Sequence, residues 1–319
     1  MSVGVGVIGA GMMGAAHVRT IATGVEGAHV AAVSDVDPDR AAAAAPDGAR
    51  VLADPHGLIA DAAVDAVVVA SSDATHEEFV LACLAAGKPV LCEKPLATTG
   101  EACLRVIEAE LAVGRRLVQL GFMRRYDPAY AAVKERLDEG DVGAILLVHC
   151  AHRNAVAPPA YTSEMLITSS AVHEIDAARW LLDEEIVGAT VRAARPTREA
   201  ADGLRDPQLV LLESARGVLI DVEVFVNARY GYDIRCEIVG ETGTLKLDEQ
   251  VEPDFRARFA TAYRRELDAW VRGVAGGPDR GPNAWDGYAA NAVADACLES
   301  LASGARAAVR LAERPALYA

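Results

Sequence analysis

A lysine between an acidic residue and a proline, in the stretch Glu93-Lys94-Pro95, directly follows the short apolar run 90–92. Such a run predicts a buried parallel strand, and the carboxyl ends of parallel strands form the crevice where open α/β sheets bind their ligands. A lysine at that edge can meet both a bound cofactor and a substrate. The position makes Lys94 a candidate catalytic residue.

A histidine is the second candidate for chemistry. His173 lies near the start of a predicted helix, 172–182, whose apolar residues recur at helical spacing. Ser169 or Ser170, just before it, is a natural N-cap. In the first turn the helix dipole disfavours the imidazolium form, which keeps His173 available as a base near neutral pH. Because a helical histidine is more often structural than catalytic, the residue alone leaves both interpretations open.

A glycine-rich turn, Gly9 to Gly14, follows a run of β-branched residues and opens an alanine-rich helix. Gly9 permits a tight turn, Gly11 lets the backbone approach a pyrophosphate, and Gly14 lets the helix pack closely on the strand. The N-terminus of the helix then receives the phosphates. The pattern predicts a dinucleotide site, the alternative being a turn that only connects strand and helix.

An acidic residue stands where such a site needs one. The second apolar strand ends at Asp35, twenty-one residues after Gly14, where a carboxylate hydrogen-bonds the ribose hydroxyls. This carboxylate opposes a 2′-phosphate and so favours NAD over NADP, although Arg40 is close enough to counteract it. The predicted cofactor-binding residues are Gly9, Gly11, Met12, Met13, Gly14, Asp35, Ser72, Glu93 and Lys94.

The order of predicted elements indicates two domains. Strands and helices alternate up to about residue 122, which predicts a doubly wound parallel sheet, a Rossmann domain over residues 1–122. Consecutive strands with short turns then predict a large open antiparallel sheet in an α+β domain over residues 123–319. Helices are expected at 255–274 and 284–309. The outer face of that sheet is either a self-association surface or a solvated face.

Composition excludes several classes of partner. The chain has 319 residues and a net charge of −15, so a phosphate backbone is repelled and nucleic acid is not expected as a partner. Neither a signal-peptide pattern nor a membrane-spanning apolar run is apparent, which predicts a cytoplasmic protein with no membrane partner.

Cysteines and histidines give no sign of a metal. The six cysteines include no Cys-x-x-Cys pair, and most lie in apolar runs, which predicts buried thiols. The seven histidines show no metal-binding spacing. We expect no metal site.

Several of these motifs together resemble the glucose-fructose oxidoreductase / inositol dehydrogenase (Gfo/Idh/MocA) family. They are the glycine loop, Asp35, the stretch Glu93-Lys94-Pro95-Leu96 and the stretch 173–181, and the match covers nearly the whole chain. Further stretches, which are more specific than the glycine loop, are similar to the bacterial inositol 2-dehydrogenases: 152–154, 161–165, 222–232 and 239–244.

The resemblance implies an NAD-dependent dehydrogenase of a cyclitol, assembled as a homotetramer. His173 would take the proton of the substrate hydroxyl, and Lys94 would hold the reacting oxygen. Substrate-binding residues implied by position are Met123, Arg124, Asn154, Ser169, Ser170, His173 and Tyr232. The alternatives for two of them are that Arg124 is a surface charge and that Tyr232 is an ordinary strand residue.

One position departs from the family pattern. Four residues before the histidine the family has an aspartate that supports it, whereas this chain has Ser169. We count Ser169 with Lys94 and His173 among the predicted catalytic residues. The departure leaves open a slow inositol dehydrogenase, an enzyme for another cyclitol or sugar, or a substituted catalytic residue.

Two further functions compete with the inositol dehydrogenase. One is a sugar or aminocyclitol oxidoreductase of a biosynthetic pathway. The other is a non-catalytic, dinucleotide-binding sensor. The presence of Lys94 and His173 argues against a sensor, and Ser169 argues mildly for one.

Overall fold

A computed structural model gives the fold and describes residues 2–247, 250–278 and 281–319. The chain forms two compact units, which are not continuous in sequence. Unit 1 contains residues 1–123, 263–288 and 313–319, and unit 2 contains residues 124–262 and 289–312. The arrangement differs from a single boundary after residue 122, because parts of the C-terminal helices pack with the N-terminal sheet.

Unit 1 is built on a parallel sheet of six strands in the order β3-β2-β1-β4-β5-β6. This is the doubly wound Rossmann order, and it confirms the predicted fold. The strands are β1 (Val3–Ile8), β2 (Ala28–Ser34), β3 (Arg50–Val51), β4 (Ala66–Val69), β5 (Val90–Cys92) and β6 (Val118–Leu120). The helices between them are α1 (Met12–Gly24), α2 (Pro38–Ala44), α3 (Pro55–Ala60), α4 (His76–Ala85) and α5 (Gly100–Val113).

The sheet of unit 1 is buried on both faces. Every residue of β1 and β4 is buried, which is why these strands are continuous apolar runs rather than alternating ones. Residues of a C-terminal helix, among them Leu267 and Trp270, complete the apolar cluster around Val5 and Val7. Packing on one face of the sheet thus depends on a segment distant in sequence.

Unit 2 is built on a second sheet, in the order β12-β11-β7-β10-β9-β8-β14, with β13 paired to β11. Its strands are β7 (Ile145–Arg153), β8 (Ile186–Ala193), β9 (Gln208–Ser214), β10 (Leu219–Phe225), β11 (Tyr232–Gly240), β12 (Thr244–Lys246), β13 (Val251–Glu252) and β14 (Ala307–Ala308). The prediction of an antiparallel sheet is wrong for one pair. β7 and β10 run parallel, because the intervening chain crosses over before returning to the sheet, so the sheet is mixed.

The remaining helices are α6 (Pro128–Asp138), α7 (Val172–Leu182), α8 (Phe255–Arg258), α9 (Ala260–Val274) and α10 (Ala284–Ser303). Residues 255–274, expected as one helix, form two helices separated at Phe259. The last helix ends at Ser303, several residues earlier than expected, where the chain turns through Gly304 at a positive φ of 71°. Among the described residues, no helix is long and apolar enough to cross a membrane.

Candidate active site

The glycine loop in unit 1 is required by close contacts. Gly9 has φ +91°, and a Cβ on Gly14 would lie 1.8 Å from the carbonyl oxygen of Gly9. Gly11, by contrast, has open space beside its Cα, with no protein atom within 4 Å of a Cβ built there. It is the N-cap of α1 and provides no side-chain hydrogen bond to the first N–H groups of the helix. These groups are suitably placed for the phosphates of a dinucleotide.

Asp35 connects the end of β2 to the glycine loop. Its Oδ2 accepts a hydrogen bond from the N–H of Ala10 at 2.6 Å, and its Oδ1 accepts one from the N–H of Asp37 at 2.8 Å. Arg40 Nη2 lies 3.5 Å from Oδ1, and Arg40 also pairs with Asp37. Because Arg40 pairs with two carboxylates, it attracts a 2′-phosphate less strongly than an unpaired arginine would.

Glu93, directly after β5, forms a buried pair with a histidine of α1. His17 Nε2 lies 2.7 Å from Glu93 Oε1, and both residues are buried. Burial opposes ionisation of Glu93, but the hydrogen bond and charge of His17, with Lys94 and His76, hold its pKa below the ordinary value. A Cβ on Gly121 would lie 2.9 Å from Glu93 Oε2, so only glycine fits at that neighbouring position.

Lys94 follows Glu93 at the carboxyl end of β5 and is half-buried. Burial lowers the pKa of its ammonium group, while Glu93 and Asp73 act in the opposite direction. The peptide bond between Lys94 and Pro95 is cis. His76 Nδ1 donates to the carbonyl oxygen of Pro95 at 2.7 Å and so fixes the backbone just after the lysine.

Arg124 lies in the interior of unit 2. Only 1% of the residue is exposed, and its guanidinium pairs with Glu174, which is also buried. Nη1 further donates to the Tyr130 hydroxyl at 3.3 Å, and the group packs over the ring of Phe259. The alternative that Arg124 is a surface charge is therefore wrong. Its charge is paired with the buried carboxylate of Glu174.

His152 joins this pair to the candidate base. Two oxygens of Glu174 lie 3.0 and 3.1 Å from His152 Nδ1, and Arg124 Nη2, which can only donate, lies 3.2 Å from the same nitrogen. We assign a proton to Nδ1 for the shorter contact with Glu174, so Arg124 makes no hydrogen bond there. The His152 ring stacks on that of His173, with centroids 6.4 Å apart and planes 22° apart, and meets Tyr232 edge-on at 5.7 Å. Unit 2 therefore brings together Arg124, Glu174, His152, Tyr232 and His173.

The charges in this cluster are balanced. Burial opposes ionisation of Glu174, yet Arg124 and His152 outweigh that effect and hold its pKa below the ordinary value. Burial raises the pKa of the Tyr232 hydroxyl, so Tyr232 is a neutral phenol. Tyr232 is only 5% exposed and also contacts Phe259.

The helix that carries His173 begins earlier than expected. A π-helical turn, Leu166–Ala171, precedes α7 without a break, and Ala171 makes no side-chain capping hydrogen bond. The prediction that Ser169 or Ser170 is the N-cap is therefore wrong, and His173 is not in an open first turn. The dipole argument for His173 loses its basis, because the helical backbone continues before it. A π-turn within a helix often marks a functional site.

Both serines lie in this π-turn. Ser170 is buried and its Oγ lies 2.8 Å from the hydroxyl of Tyr161, while Ser169 is half-buried. In a π-helix, as in an α-helix, four residues are close to one turn. Ser169 and His173 thus lie one turn apart along one helix.

The other predicted site residues are held mainly through the backbone. Met123 is buried at the start of a 3₁₀ turn, and Ser72 directly precedes the 3₁₀ turn Asp73–Thr75 after β4. Asn154 follows β7, where its N–H donates to the carbonyl of Phe225 at 2.9 Å. All six cysteines are buried free thiols, which confirms the prediction of buried thiols. No group of metal-ligating residues is found in the described ranges.

Comparison with known proteins agrees with this geometry. Residues 3–122 match the profile of an oxidoreductase family with an NAD-binding Rossmann fold, and residues 130–246 match the GFO/IDH/MocA C-terminal domain. The chain belongs to the GFO/IDH/MocA oxidoreductase family. It is an NAD-dependent dehydrogenase.

Within this family the chain is similar to inositol dehydrogenases. It is 56% identical to inositol 2-dehydrogenase 2 of Saccharopolyspora erythraea, over 100% of this chain and 99% of that protein. The myo-inositol dehydrogenase of Lactobacillus casei, solved with NAD(H) and myo-inositol, superposes with a TM-score of 0.96 at 40% identity over 100% of both chains. The scyllo-inositol dehydrogenase of the same organism, solved with NAD(H) and scyllo-inositol, gives 0.89 at 25% identity over 97% of this chain and 99% of that one.

Sequence reasoning for this dehydrogenase gave no role to three histidines, a glutamate and a tyrosine, namely His17, His76, His152, Glu174 and Tyr161. His17 lies on the buried face of α1 with Gly14, Val18 and Ile21, and a titratable residue at such a position signals a buried partner. His76 and Tyr161 carried no comparable signal, because their partners are backbone and hydroxyl groups of other segments.

Proposed function

We propose that this protein is an inositol 2-dehydrogenase, which oxidises a secondary alcohol of myo-inositol or a closely related cyclitol. The observation that carries the proposal is the 56% identity to an inositol 2-dehydrogenase over the whole chain. The presence of Lys94 and His173 supports it, because together they supply the two proton-handling groups that the oxidation of an alcohol needs.

The residues of unit 1 fit an NAD cofactor. Gly9 and Gly14 have no room for a side chain, Gly11 leaves the approach to α1 open, and Asp35 can accept hydrogen bonds from ribose hydroxyls. NAD held by these residues would supply the acceptor for the hydride that leaves the carbinol carbon. Ser72, Glu93 and the backbone of Met12 and Met13 complete the proposed binding set.

The chain's own residues handle the proton and the charge. His173 takes the proton from the substrate hydroxyl as general base. Lys94 donates a hydrogen bond to the same oxygen and stabilises the negative charge that develops there. Because burial lowers its pKa, Lys94 gives up a proton more readily than an exposed lysine, which would help it to protonate the oxygen in the reverse reaction.

The remaining side chains orient the ring of the substrate. Asn154, Ser169, Ser170 and Tyr232 offer hydroxyl and amide groups for a polyol, and Met123 lines the pocket. For Arg124 we propose an indirect role: it keeps Glu174 ionised, and Glu174 in turn fixes the proton of His152 beside His173.

Ser169 favours one alternative substrate class. A serine cannot supply the charge of the family's aspartate, so a pocket shaped for another cyclitol, an aminocyclitol or a sugar is the second candidate. The third, a dinucleotide-binding sensor without catalysis, is disfavoured by the retained Lys94 and His173.

The experiment is a substrate panel. Inositol isomers, aminocyclitols and aldoses are offered with NAD, and NADH formation is followed by absorbance. Fastest turnover of myo-inositol supports the proposal, and preference for an aldose or aminocyclitol selects the second candidate. No turnover of any substrate, with NAD binding intact, selects the sensor; Lys94→Ala is the inactive control.

We further propose a homotetramer that associates through the outer face of the unit 2 sheet. Leu209, Leu211 and Leu219 are 48%, 36% and 42% exposed on that face, which is a large apolar area for a surface. The partner we assign to it is a second copy of this chain, by resemblance to the family. The charged residues Asp221 and Glu223 lie on the same face, opposite Leu211 and Leu209, and pair with His149 and Arg153 of β7.

A cytoplasmic location is also proposed. Six buried free thiols are typical of a protein that folds in a reducing compartment. Cell fractionation with detection of the protein tests this location.

A further inference from the structure

Two loops of unit 2 meet at one edge of its sheet. Because β7 and β10 run parallel, their carboxyl ends lie side by side. Asn154 directly follows β7, and residues 226–229 directly follow β10. The N–H of Ala228 donates to the carbonyl oxygen of Asn154 at 2.9 Å. One residue further along both loops, the N–H of Arg229 donates to the carbonyl oxygen of Ala155 at 3.0 Å.

The side chain of Asn227 adds a contact between the same two loops. The residue is only 5% exposed. Its Oδ1 accepts a hydrogen bond from the N–H of Ala157 at 3.1 Å, and its Nδ2 donates to Oδ2 of Asp206 at 2.9 Å. A backbone N–H can only donate, so the orientation of the amide group is determined. Both ends of this amide therefore have partners within unit 2.

Asp206 holds the loop after β10 from a third segment of the chain. The residue has no exposed surface. Its Oδ1 accepts a hydrogen bond from the N–H of Val226 at 2.9 Å, while its Oδ2 accepts the one from Asn227. A buried carboxyl group without donors is costly, so these two contacts fix the position of residues 226 and 227.

The network holds Asn154 on both sides of its Cα. The N–H of Asn154 donates to the carbonyl oxygen of Phe225 at 2.9 Å, and its carbonyl oxygen accepts from Ala228. Asn227 then holds the same loop three residues later, at Ala157. A hydrogen bond weakens steeply when donor and acceptor are misaligned, so an amide that binds a ring hydroxyl needs a backbone held in this way.

We propose that Asn227 is a positioning residue, which together with Asp206 fixes the loop of Asn154 so that the Asn154 amide meets a hydroxyl group of the polyol substrate. The proposal rests on the proposed function, in which Asn154 orients the substrate ring. Asn227 acts through Asn154 and does not itself touch the substrate.

A double-mutant cycle tests this role. Asn227→Ala is made in the native chain and in Asn154→Ala. In the native chain we expect KM for myo-inositol to rise about three- to tenfold, the range of one neutral hydrogen bond. The value of kcat should stay within about twofold, because bound substrate and transition state make this contact equally. In Asn154→Ala the same substitution should change KM little, because the contact with the substrate is already missing.

Ser214→Ala is the matched control. Ser214 is buried, and its Oγ accepts a hydrogen bond from the N–H of Val218 at 3.0 Å, in the turn at the opposite end of β10. The control therefore also removes a buried contact between a side chain and a loop backbone. It should leave KM and kcat unchanged.

An exchange of the two side chains gives a second readout. Asn227→Asp brings two buried carboxyl groups together, and Asp206→Asn brings two amide nitrogens together, so each substitution alone should raise KM. The double variant Asp206→Asn/Asn227→Asp restores the three hydrogen bonds, because the amide nitrogen then belongs to position 206. It should regain a KM close to that of the native chain. A double variant that folds but keeps the raised KM overturns the proposal.

The remaining outcomes separate positioning from stability alone. An equal rise of KM in both backgrounds means that Asn227 only stabilises unit 2, and an unchanged KM in the native chain means that Asn154 does not depend on it. Either result overturns the proposal.

Ala157→Pro decides the matter if Asn227→Ala does not fold, as judged by melting temperature and NAD affinity. It removes the N–H that Asn227 holds and leaves every buried side chain in place. An unchanged KM in this variant overturns the proposal. A native chain that turns over no polyol refutes the proposed function and this role with it, whereas turnover with additive effects in the cycle refutes this role alone.

Discussion

His152 and Glu174 meet in the interior of unit 2, where Nδ1 of the histidine lies 3.0 Å from Oε2 of the carboxylate. The same carboxylate pairs with Arg124, so one buried charge is balanced by one cation and one N–H donor. Since the His152 ring stacks on His173, the orientation of the candidate base depends on a charge pair two side chains away.

Arg124→Gln should strongly destabilise the protein. The substitution leaves the Glu174 carboxylate buried without its cation, which costs about 3–5 kcal/mol in other proteins. The free energy of unfolding from urea titration measures the loss. Arg124→Met/Glu174→Met, which removes both charges, should lose much less. Equal losses in the single and double variants would contradict the charge argument.

A second prediction concerns stability and pH at Glu110. Burial raises the pKa of this carboxyl, although Tyr318 and the N–H groups of Leu117 and Val118 donate to it. The folded state therefore holds the proton more tightly than the unfolded state. Its contribution is fully present below the ordinary pKa of about 4.5 and is lost as the pH rises through the folded value.

Glu110→Gln should remove this loss. The variant should melt at a higher temperature than the native protein near pH 8 and at a similar temperature near pH 4.5, as followed by circular dichroism. Tyr318→Phe keeps the titrating carboxyl but removes a donor that lowers its pKa, so this variant should lose more stability with rising pH than the native protein. A Glu110→Gln variant that gains nothing at the higher pH would show that Glu110 is already matched by its donors.

The fold of unit 1 could be predicted because its signals are local. Gly9 to Gly14 and the strand that precedes them lie within a dozen residues, and burial on both faces makes β1 and β4 continuous apolar runs. Burial of the thiols could be predicted because most of the cysteines lie in apolar runs along the chain. Asp35 was found by its spacing from Gly14, which the fold keeps nearly constant.

The features that the sequence did not predict depend on contacts between distant segments. The parallel pairing of β7 with β10 is set by a crossover, and short turns elsewhere in the sheet gave no hint of it. Ser169 looked like an N-cap because a serine before an apolar helix usually is one, while the π-turn is held by Tyr161 and by backbone geometry. The burial of Arg124 follows from Glu174, fifty residues away.

Cofactor preference is the third prediction. NAD should bind at least tenfold more tightly than NADP, because Asp35 accepts hydrogen bonds from ribose hydroxyls and repels a 2′-phosphate. Fluorescence titration with each cofactor measures the ratio, and Asp35→Ser should reduce it. Equal affinities in the native protein would mean that Arg40 overrides Asp35 despite its pairing with Asp37.

The fourth prediction concerns assembly. Light scattering should give about four times the 33.5 kDa mass of one chain. Leu211→Lys should lower that mass, because the substitution buries a charge at the proposed contact. The single chain should tolerate the lysine, because position 211 lies opposite Asp221. Leu111→Lys, at an exposed position of α5, is the control and should leave the mass unchanged. A native mass of one chain at micromolar concentration would refute the assembly.

The last prediction returns charge to the turn before His173. Ser169→Asp should raise turnover of myo-inositol at least tenfold, which is a change of roughly 1.4 kcal/mol in the barrier. The reason is that a carboxylate one turn away stabilises the imidazolium that forms as His173 takes the proton. The same carboxylate should move the acidic limb of the pH–rate profile to higher pH, since it also favours protonated His173 in the free enzyme. Ser169→Asn, similar in size and without charge, should show neither effect. If Ser169→Asp leaves turnover unchanged while NAD affinity and melting temperature stay native, the serine belongs to a pocket for a different substrate, and inositol is not the substrate of this enzyme.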